Sequence, residues 1–250
     1  MAGNDVQKAM RKIFTDNIYG SRAILTGDKH NHLAFSLRVR PGDKVVLCND
    51  CIDYEAQVVS VTKNQTELEI LSQKECSGEP SIDVTLFFAI LKGDKNDLVA
   101  QKVTELGVKR IVPFYSNNCE CRRESFKVDR VNRIVVEAAE QCGRGVIPVV
   151  ESLAEVKDVC SRIKDFDLVI FANEREKLTG LKDVKILPDV HKSIAVIIGS
   201  EGGFTKDEGE NFTSAGAKSI TLGPRILRAE TANIAVVSAV MYEGGQWQIK

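Results

Sequence analysis

Residues 197–232 read IIGSEGGFTKDEGENFTSAGAKSITLGPRILRAETA, and this stretch decides the fold. It begins at the end of an apolar strand, SIAVIIG over 193–199. A loop follows, Gly199-Ser200-Glu201-Gly202-Gly203-Phe204. The pattern then predicts a helix near 205–216, a strand KSITLG, a second loop Leu222-Gly223-Pro224-Arg225-Ile226-Leu227, and a last helix from about Glu230 to Glu243. Strands alternating with helices specify an α/β domain on a mostly parallel sheet. Ligands of such sheets bind beyond the carboxyl ends of the strands, where both loops fall. Glycine there lets backbone groups approach a ligand closely.

Upstream the same texture continues back to residue 82. IDVTLFFAIL (82–91) is a continuous apolar run of the kind that a strand buried on both faces requires. A helix is expected from about Asp97, with Val99, Val103 and Leu106 inward and Gly107 as its stop. VKRIVPF and DLVIFAN (167–173) read as further strands. Between them a long helix is expected over 124–142, its stripe made of Val128, Val131, Ile134, Val135 and Ala138. Residues 11–72 are different: short runs such as DKVVLC, YEAQVVSV and TELEIL between Gly, Pro, Asn and Asp, with one short helix capped by Asp28. That pattern predicts a compact β-barrel. QKECSGEPS (73–81) is polar and reads as the boundary, dividing a domain at 10–73 from one at 82–250. Residues 1–9 are polar and precede a second methionine, Met10, and are read as an added leader.

Bulk properties narrow the class. Hydrophobic residues make up 43% of the chain and charged residues 28%, the balance of a water-soluble globular protein. The N-terminus lacks the apolar segment of a secretory signal and no run is long enough to span a bilayer, so a cytoplasmic location is expected. Seven cysteines with irregular spacing suit reduced thiols. Cys48 and Cys51 form a C-x-x-C and Cys119 and Cys121 a C-x-C, but zinc needs four convergent ligands and no metal is expected. A net charge of −1 does not announce a nucleic-acid binder, although charge can still be concentrated on one face.

The two loops match no phosphate-binding pattern: there is no G-x-x-x-x-G-K-[ST] and no G-x-G-x-x-G opening a helix. A nucleoside triphosphate or dinucleotide site is therefore disfavoured. IIGSEGGF followed by LGPRILRAETA instead resembles the C-terminal pattern of the RsmE family, uridine-N3 methyltransferases of 16S ribosomal RNA within the SPOUT superfamily. LKGDKNDLVAQKVTELGVKRIVPF (91–114), EAAEQCGR (137–144) and HLAFSLRVRPGD (32–43) extend the resemblance over most of the chain. One segment departs: where the family shows an Arg-Ser pair a few residues after Pro113, this chain has Asn118-Cys119.

The resemblance implies an N-terminal PUA-like β-barrel that grips RNA and a SPOUT domain with a deep trefoil knot. It further implies a homodimer and S-adenosylmethionine (SAM) as methyl donor, held by Phe171, Ala172, Glu174, Gly199, Ser200, Glu201, Gly202, Gly203, Leu222, Gly223, Arg225, Ile226 and Leu227. An RNA enzyme must neutralise phosphates somewhere. Arg11, Arg22, Arg38, Arg122, Arg123, Gln141 and Arg144 are the candidates, with Lys12 and Arg40 similar. Lys127, Arg130 and Arg133 recur every third residue and share one helix face, which equally suits a solvated surface. Lys102 and Glu105 read equally as a simple ion pair.

Just past the second loop stand Arg228 and Glu230. Arg228 is expected to stabilise charge developing on the uracil oxygens. Glu230 is expected to hold Arg228 or accept the N3 proton, or simply to favour the helix start as a carboxylate does. Two rival readings remain. SPOUT ribose 2′-O-methyltransferases carry Ser-Leu-Asn where this chain has ILRAE. A non-enzymatic RNA-binding or ribosome-assembly factor would have less need of glycines in both loops.

Overall fold

The computed structural model describes residues 12–248, so the expected leader and Arg11 lie outside the described residues. In chain order the elements are β1 (Lys12–Phe14), β2 (Ile18–Tyr19), β3 (Arg22–Thr26), α1 (Gly27–Asn31), β4 (Lys44–Asn49), β5 (Ile52–Val61), β6 (Gln65–Glu75), β7 (Asp83–Ala89), α2 (Lys95–Glu105), β8 (Arg110–Tyr115), α3 (Val128–Cys142), β9 (Val149–Val150), β10 (Ala154–Glu155), α4 (Val156–Arg162), β11 (Leu168–Ala172), β12 (Ser193–Ile198), α5 (Lys206–Ala215), β13 (Lys218–Ile220) and α6 (Ala229–Glu243). Among the described residues no helix is long and apolar enough to cross a membrane.

The chain divides into two compact units, and the break after Glu79 falls inside the polar boundary expected at 73–81, although two details differ: the strands of the first unit reach past residue 73, and a later segment joins it. The first unit runs to Glu79 and also takes residues 140–146. Strand pairing explains the first: β6 continues its ladder with β5 as far as Glu75 opposite Ile52. Buried charges explain the second. The Lys12 ammonium donates to the Gly143 carbonyl at 2.9 Å and the Arg144 carbonyl at 3.1 Å, and pairs with Asp53 at 2.7 Å. Arg144 donates through Nε and Nη2 to the Glu79 carboxylate at 3.2 and 2.7 Å. Lys12 and Arg144 are thus buried structural cations and not the free phosphate ligands expected from sequence.

Six strands in the order β1-β4-β5-β6-β3-β2 form the sheet of the first unit, antiparallel except for β1 beside β4. Each sends side chains into one apolar core that includes Ile13, Leu25, Leu33, Leu47, Val58 and Leu68, with Ile18 packed against it. The alternation of TELEIL is realised here, with Leu68 buried and Glu67 and Glu69 turned outward or part-covered. Helix α1 begins at Gly27, with Thr26 as its cap residue and Asp28 inside the first turn, so the side-chain cap expected of Asp28 is not made.

In the second unit the strand order is β10-β8-β7-β12-β11-β13, with β9 also on β8, and every pairing is parallel. Both faces are covered. Val84, Leu86 and Phe88 join one core with Val99, Val103, Val236 and Val240 from α2 and α6. Phe87 and Ala89 join the other with Phe114, Phe171, Phe204 and Phe212. This two-sided burial is why β7 and β12 are apolar without alternation. Helix α3 starts at Val128, later than expected, because residues 123–125 form a separate short turn in which Ser125 Oγ donates to the Arg122 carbonyl. Helix α4 carried no recognised sequence signal; Glu155 and Asp158 form a capping box at its start.

The Glu79–Arg144 pair gives a stability prediction. Burial pushes the Glu79 carboxyl up, but Arg144 and the Gly145 and Val146 amides outweigh it and hold the group below the usual carboxylate range. Its contribution is therefore present above the unfolded pKa and lost as pH falls through the folded one. Arg144→Met strands a largely buried carboxylate and is expected to cost about 3 kcal/mol in urea denaturation at neutral pH. The gap between wild type and variant should close as the pH is lowered into the acid range.

Candidate active site

The central strand fixes the geometry. β12 pairs with β7 from Ser193 opposite Asp83 to Ile198 opposite Phe88, and with β11 up to Ile197 opposite Phe171. The carboxyl ends of three parallel strands therefore lie side by side, and the segments leaving them surround a cavity of about 760 Å³.

The first glycine loop is braced from three sides. Gly203 N–H closes a turn onto the Ser200 carbonyl at 3.0 Å. Phe204 drops into the ring cluster, 5.1 Å from Phe171 and 5.3 Å from Phe212 between centroids. Thr205 and Glu208 cap α5 reciprocally, Thr205 N–H donating to Glu208 Oε2 at 2.8 Å and Glu208 N–H to Thr205 Oγ1 at 3.2 Å. Asn118, the departure from the family pattern, completes the brace. Its side-chain amide donates to the Gly202 carbonyl at 3.0 Å, and its own carbonyl accepts from Ser200 Oγ at 3.0 Å. A Cβ at Gly202 would meet that Asn118 carbonyl at 2.7 Å, so only glycine fits. Gly203 has φ +62° and would carry a Cβ 2.9 Å from Glu174.

The second loop leaves β13 with Thr221 N–H donating to the Thr179 carbonyl at 2.8 Å, and Gly223 takes a φ of +96°. It delivers Leu222, Arg225, Ile226 and Leu227 to the cavity. Ala172, Glu174, Gly199, Ser200, Glu201, Gly203 and Gly223 line it too, as expected. Two expected residues do not. Phe171 is wholly buried in the aromatic core, because its position in β11 points it to the opposite face from the cavity-lining Ala172. Gly202 faces Asn118.

Arg228 lines the cavity at the cap position of α6 and is exposed. Glu230 is in the first turn of that helix but outside the lining. Its ion partner is Lys95 at 3.7 Å, and among the described residues no ion pair joins it to Arg228. Lys95, which sequence reasoning missed, lines the cavity and donates to Glu201 at 2.8 Å. The Glu201 hydrogen bond raises the Lys95 pKa above its ordinary value. Burial pushes the Glu201 carboxyl up, but Lys95 and the backbone amides hold it net below the usual range. The LKGDK motif at 91–95 was the available signal for Lys95, read only as part of a strand–helix junction.

The expected RNA contacts divide. Arg22, Arg38, Arg122 and Gln141 are exposed, and among the described residues the three arginines carry no ion pair. Arg123 is committed to both oxygens of Glu155 and lies over the Tyr115 ring at 4.2 Å. Arg130 pairs with Asp97 at 2.5 Å, and Lys102 with Glu105 at 2.8 Å. Cys48, Cys76 and Asp53 come within 4.8 Å of one another, but the Lys12 ammonium already sits on Asp53. Cys119 and Cys121 both turn to the Ile90 carbonyl.

A parallel α/β unit with braced glycine loops around a strand-end cavity is the architecture of an α/β enzyme that binds a small molecule beyond the ends of its strands. Residues 78–241 match the family model described as an RNA methyltransferase domain, and residues 25–71 the model of an RNA methyltransferase PUA domain. The chain belongs to this RNA methyltransferase family. It is 34% identical over 228 residues to ribosomal RNA small subunit methyltransferase E of Rickettsia conorii, covering 90% of this chain and 91% of that protein. Against the Bacillus subtilis protein of the same name identity is 30% over 229 residues, covering 88% and 89%. The crystal structure of the Neisseria gonorrhoeae enzyme of that name, bound to S-adenosyl methionine, superposes with a TM-score of 0.84 at 30% identity, covering 93% of this chain and 97% of that one.

Gly202→Ala tests the brace. The added Cβ collides with backbone at Asn118, so the loop must shift and SAM affinity should fall about tenfold, roughly 1.4 kcal/mol. Isothermal calorimetry with SAM measures it, and an unchanged Kd would show that the loop position does not govern binding.

Proposed function

We propose that the protein is a SAM-dependent methyltransferase acting on N3 of a uridine in the RNA of the small ribosomal subunit. The observation that carries this reading is the pairing of a glycine-braced cavity with an exposed Arg228 at its wall. The cavity suits SAM: backbone of Gly199 and Gly203 along its wall, without side chains in the way, and apolar surface from Ala172, Leu222 and Leu227. When bound, SAM supplies an activated methyl group whose bond to sulfur breaks with its electrons as the new N–C bond forms.

The protein's own task is placement and charge. The nucleophile has to sit about 3 Å from the methyl and in line with it. N3 of a paired uridine is inaccessible, so the target is unpaired or flipped out and read on its edge. Arg228 donates to a uracil carbonyl oxygen and stabilises the negative charge that spreads onto it when N3 loses its proton. Glu230 secures the start of α6, where a carboxylate complements the helix N-terminus, and joins the ionic corner with Lys95. Arg22 and Arg38 of the PUA unit and Arg122 of the catalytic unit neutralise phosphates of the RNA. The working form is a homodimer in the cytoplasm, with the small subunit or its RNA as partner.

The test is methyl transfer from labelled SAM into small subunits that lack the modification, followed by nucleoside analysis. 3-Methyluridine is the expected product. A 2′-O-methylated nucleoside would assign the protein to the ribose branch, and no product without SAM binding would favour a non-enzymatic role. Arg228→Ala should lower turnover at least about tenfold, or 1.4 kcal/mol of barrier. A smaller loss would remove Arg228 from the reaction.

A further inference from the structure

One end of the first unit gathers three cysteines around a single glycine. Asn49 pairs with Ile52 across the β4–β5 hairpin, so Asp50 and Cys51 are its two central turn residues, with φ of +46° and +59°. Such a turn favours Asn-Gly or Asp-Gly, and a cysteine in that conformation is uncommon. The Cys76 N–H donates to the Cys51 carbonyl at 2.7 Å, which carries the β5–β6 ladder one residue past Glu75. Cys48 stands opposite Asp53 in the neighbouring ladder. Residues opposed in a ladder share a face of the sheet. Cys48 Sγ therefore lies 3.6 Å from Cys76 Sγ, Cys76 Sγ lies 3.0 Å from Asp53 Oδ1, and the donor atoms of the three residues fall within 4.8 Å of one another. Gly145 closes over them. Its carbonyl is 3.6 Å from Cys48 Sγ and 3.8 Å from Cys51 Sγ, and a Cβ on it would stand 2.9 Å from Cys76 Sγ.

We propose that Cys48, Cys51, Cys76 and Asp53 bind a structural zinc ion that ties the β4–β5 turn to the end of β6. Two sulfurs each about 2.3 Å from a tetrahedral zinc stand about 3.8 Å apart, close to the spacing of Cys48 and Cys76. Three of the four donors are already gathered. The fourth, on the exposed turn residue Cys51, swings in by rotation about its Cα–Cβ bond. Three soft thiolates and one carboxylate in a closed set of four select zinc over the hard cations. On binding, three S–H bonds break, each electron pair stays on sulfur and forms a bond to zinc, and the three protons leave to water. The doubly charged ion with three thiolates and one carboxylate carries two negative charges.

Lys12 belongs to that balance. Its ammonium is 2.7 Å from Asp53 Oδ1 and 3.8 Å from Cys76 Sγ, and it offsets one of the two charges. A carboxylate has two oxygens, so Asp53 serves the ammonium and the ion together. Without a metal, burial pushes the Cys48 and Cys76 thiols up, and a hydrogen bond to each, from Cys76 and Asp53 respectively, adds to it. Thiols held protonated react slowly with oxidants, which disfavours a redox pair, whereas a zinc ion displaces the protons directly. The sequence showed only the C-x-x-C of Cys48 and Cys51. The third sulfur comes from Cys76, 28 residues after Cys48, and only the pairing of β5 with β6 brings it there.

The experiment uses the full chain, stripped of metal by chelation under reducing conditions and titrated with zinc chloride at neutral pH. One zinc per chain should bind with a Kd of about 50 nM or tighter, releasing about three protons per ion in calorimetry. Cobalt in its place should give thiolate charge-transfer absorption and the visible bands of a tetrahedral ion. Zinc should also raise the unfolding temperature of the wild type. Cys51→Ser changes an exposed turn residue, so it should fold and yet lose at least about tenfold in zinc affinity. Cys160→Ser, on α4, should match the wild type in every readout. No zinc binding below about 10 µM, or a Cys51→Ser variant that binds as tightly as the wild type, would overturn the proposal. So would a chain that takes up no zinc and forms a Cys48–Cys76 disulfide with peroxide, which would make the cluster a redox pair. None of these readouts depends on methyl transfer.

Discussion

The in-register pairing of β12 between β7 and β11 is the constraint on which the site depends. Parallel strands that end together present their following segments at one edge of the sheet. The segment after β7 brings Lys95, the segment after β12 brings Gly199 to Gly203, and the segment after β11 brings Glu174. A slip of one residue in β12 would exchange its two faces, sending Ile197 to the α2–α6 side and Ile198 to the aromatic side. Burial on both faces resists that slip less by polarity than by shape, since each face is filled by side chains of different size.

Rigidity at the strand ends is bought by different means in the two loops. The first glycine loop is tied to the aromatic core through Phe204 and to Asn118 through two hydrogen bonds. The second has fewer ties, and Ile226 in it is 87% exposed. A cavity with one fixed wall and one exposed wall suits a donor that must enter and leave while the reacting groups stay aligned. Asn118 shows how a departure from a family pattern can be absorbed. The position lacks the arginine's charge, but it supplies a donor and an acceptor that hold the loop it faces.

Charge is distributed with the same economy. Of the basic residues that composition offers, several serve the fold. Arg144 and Lys12 are buried on carboxylates and carbonyls, Arg123 is locked on Glu155, and Arg130 is drawn to Asp97. Of the arginines expected to contact RNA, Arg22, Arg38 and Arg40 on one unit and Arg122 on the other remain exposed, and among the described residues they carry no ion pair. A net charge of −1 is therefore compatible with RNA binding, because most of the acidic groups named here are spent on internal pairing and helix caps.

The alternation of strands and helices after residue 82, the change of texture before it and the two glycine loops were all legible in the sequence, because hydrophobic period and turn chemistry are local properties. So was most of the cavity lining, since the loops are contiguous in the chain. Phe171 was misplaced because the side of a buried strand that a residue faces cannot be read where every position is apolar. Arg144 was misread for the reason that its partner, Glu79, lies 65 residues away. Glu230 was paired with its neighbour Arg228 on sequence proximity, whereas the fold gave it Lys95, from the far end of the domain. Sequence alone determined which elements form and what chemistry their loops can offer. Only the tertiary structure decided which charges meet, because ion pairing depends on distances that the sheet sets between residues remote in the chain.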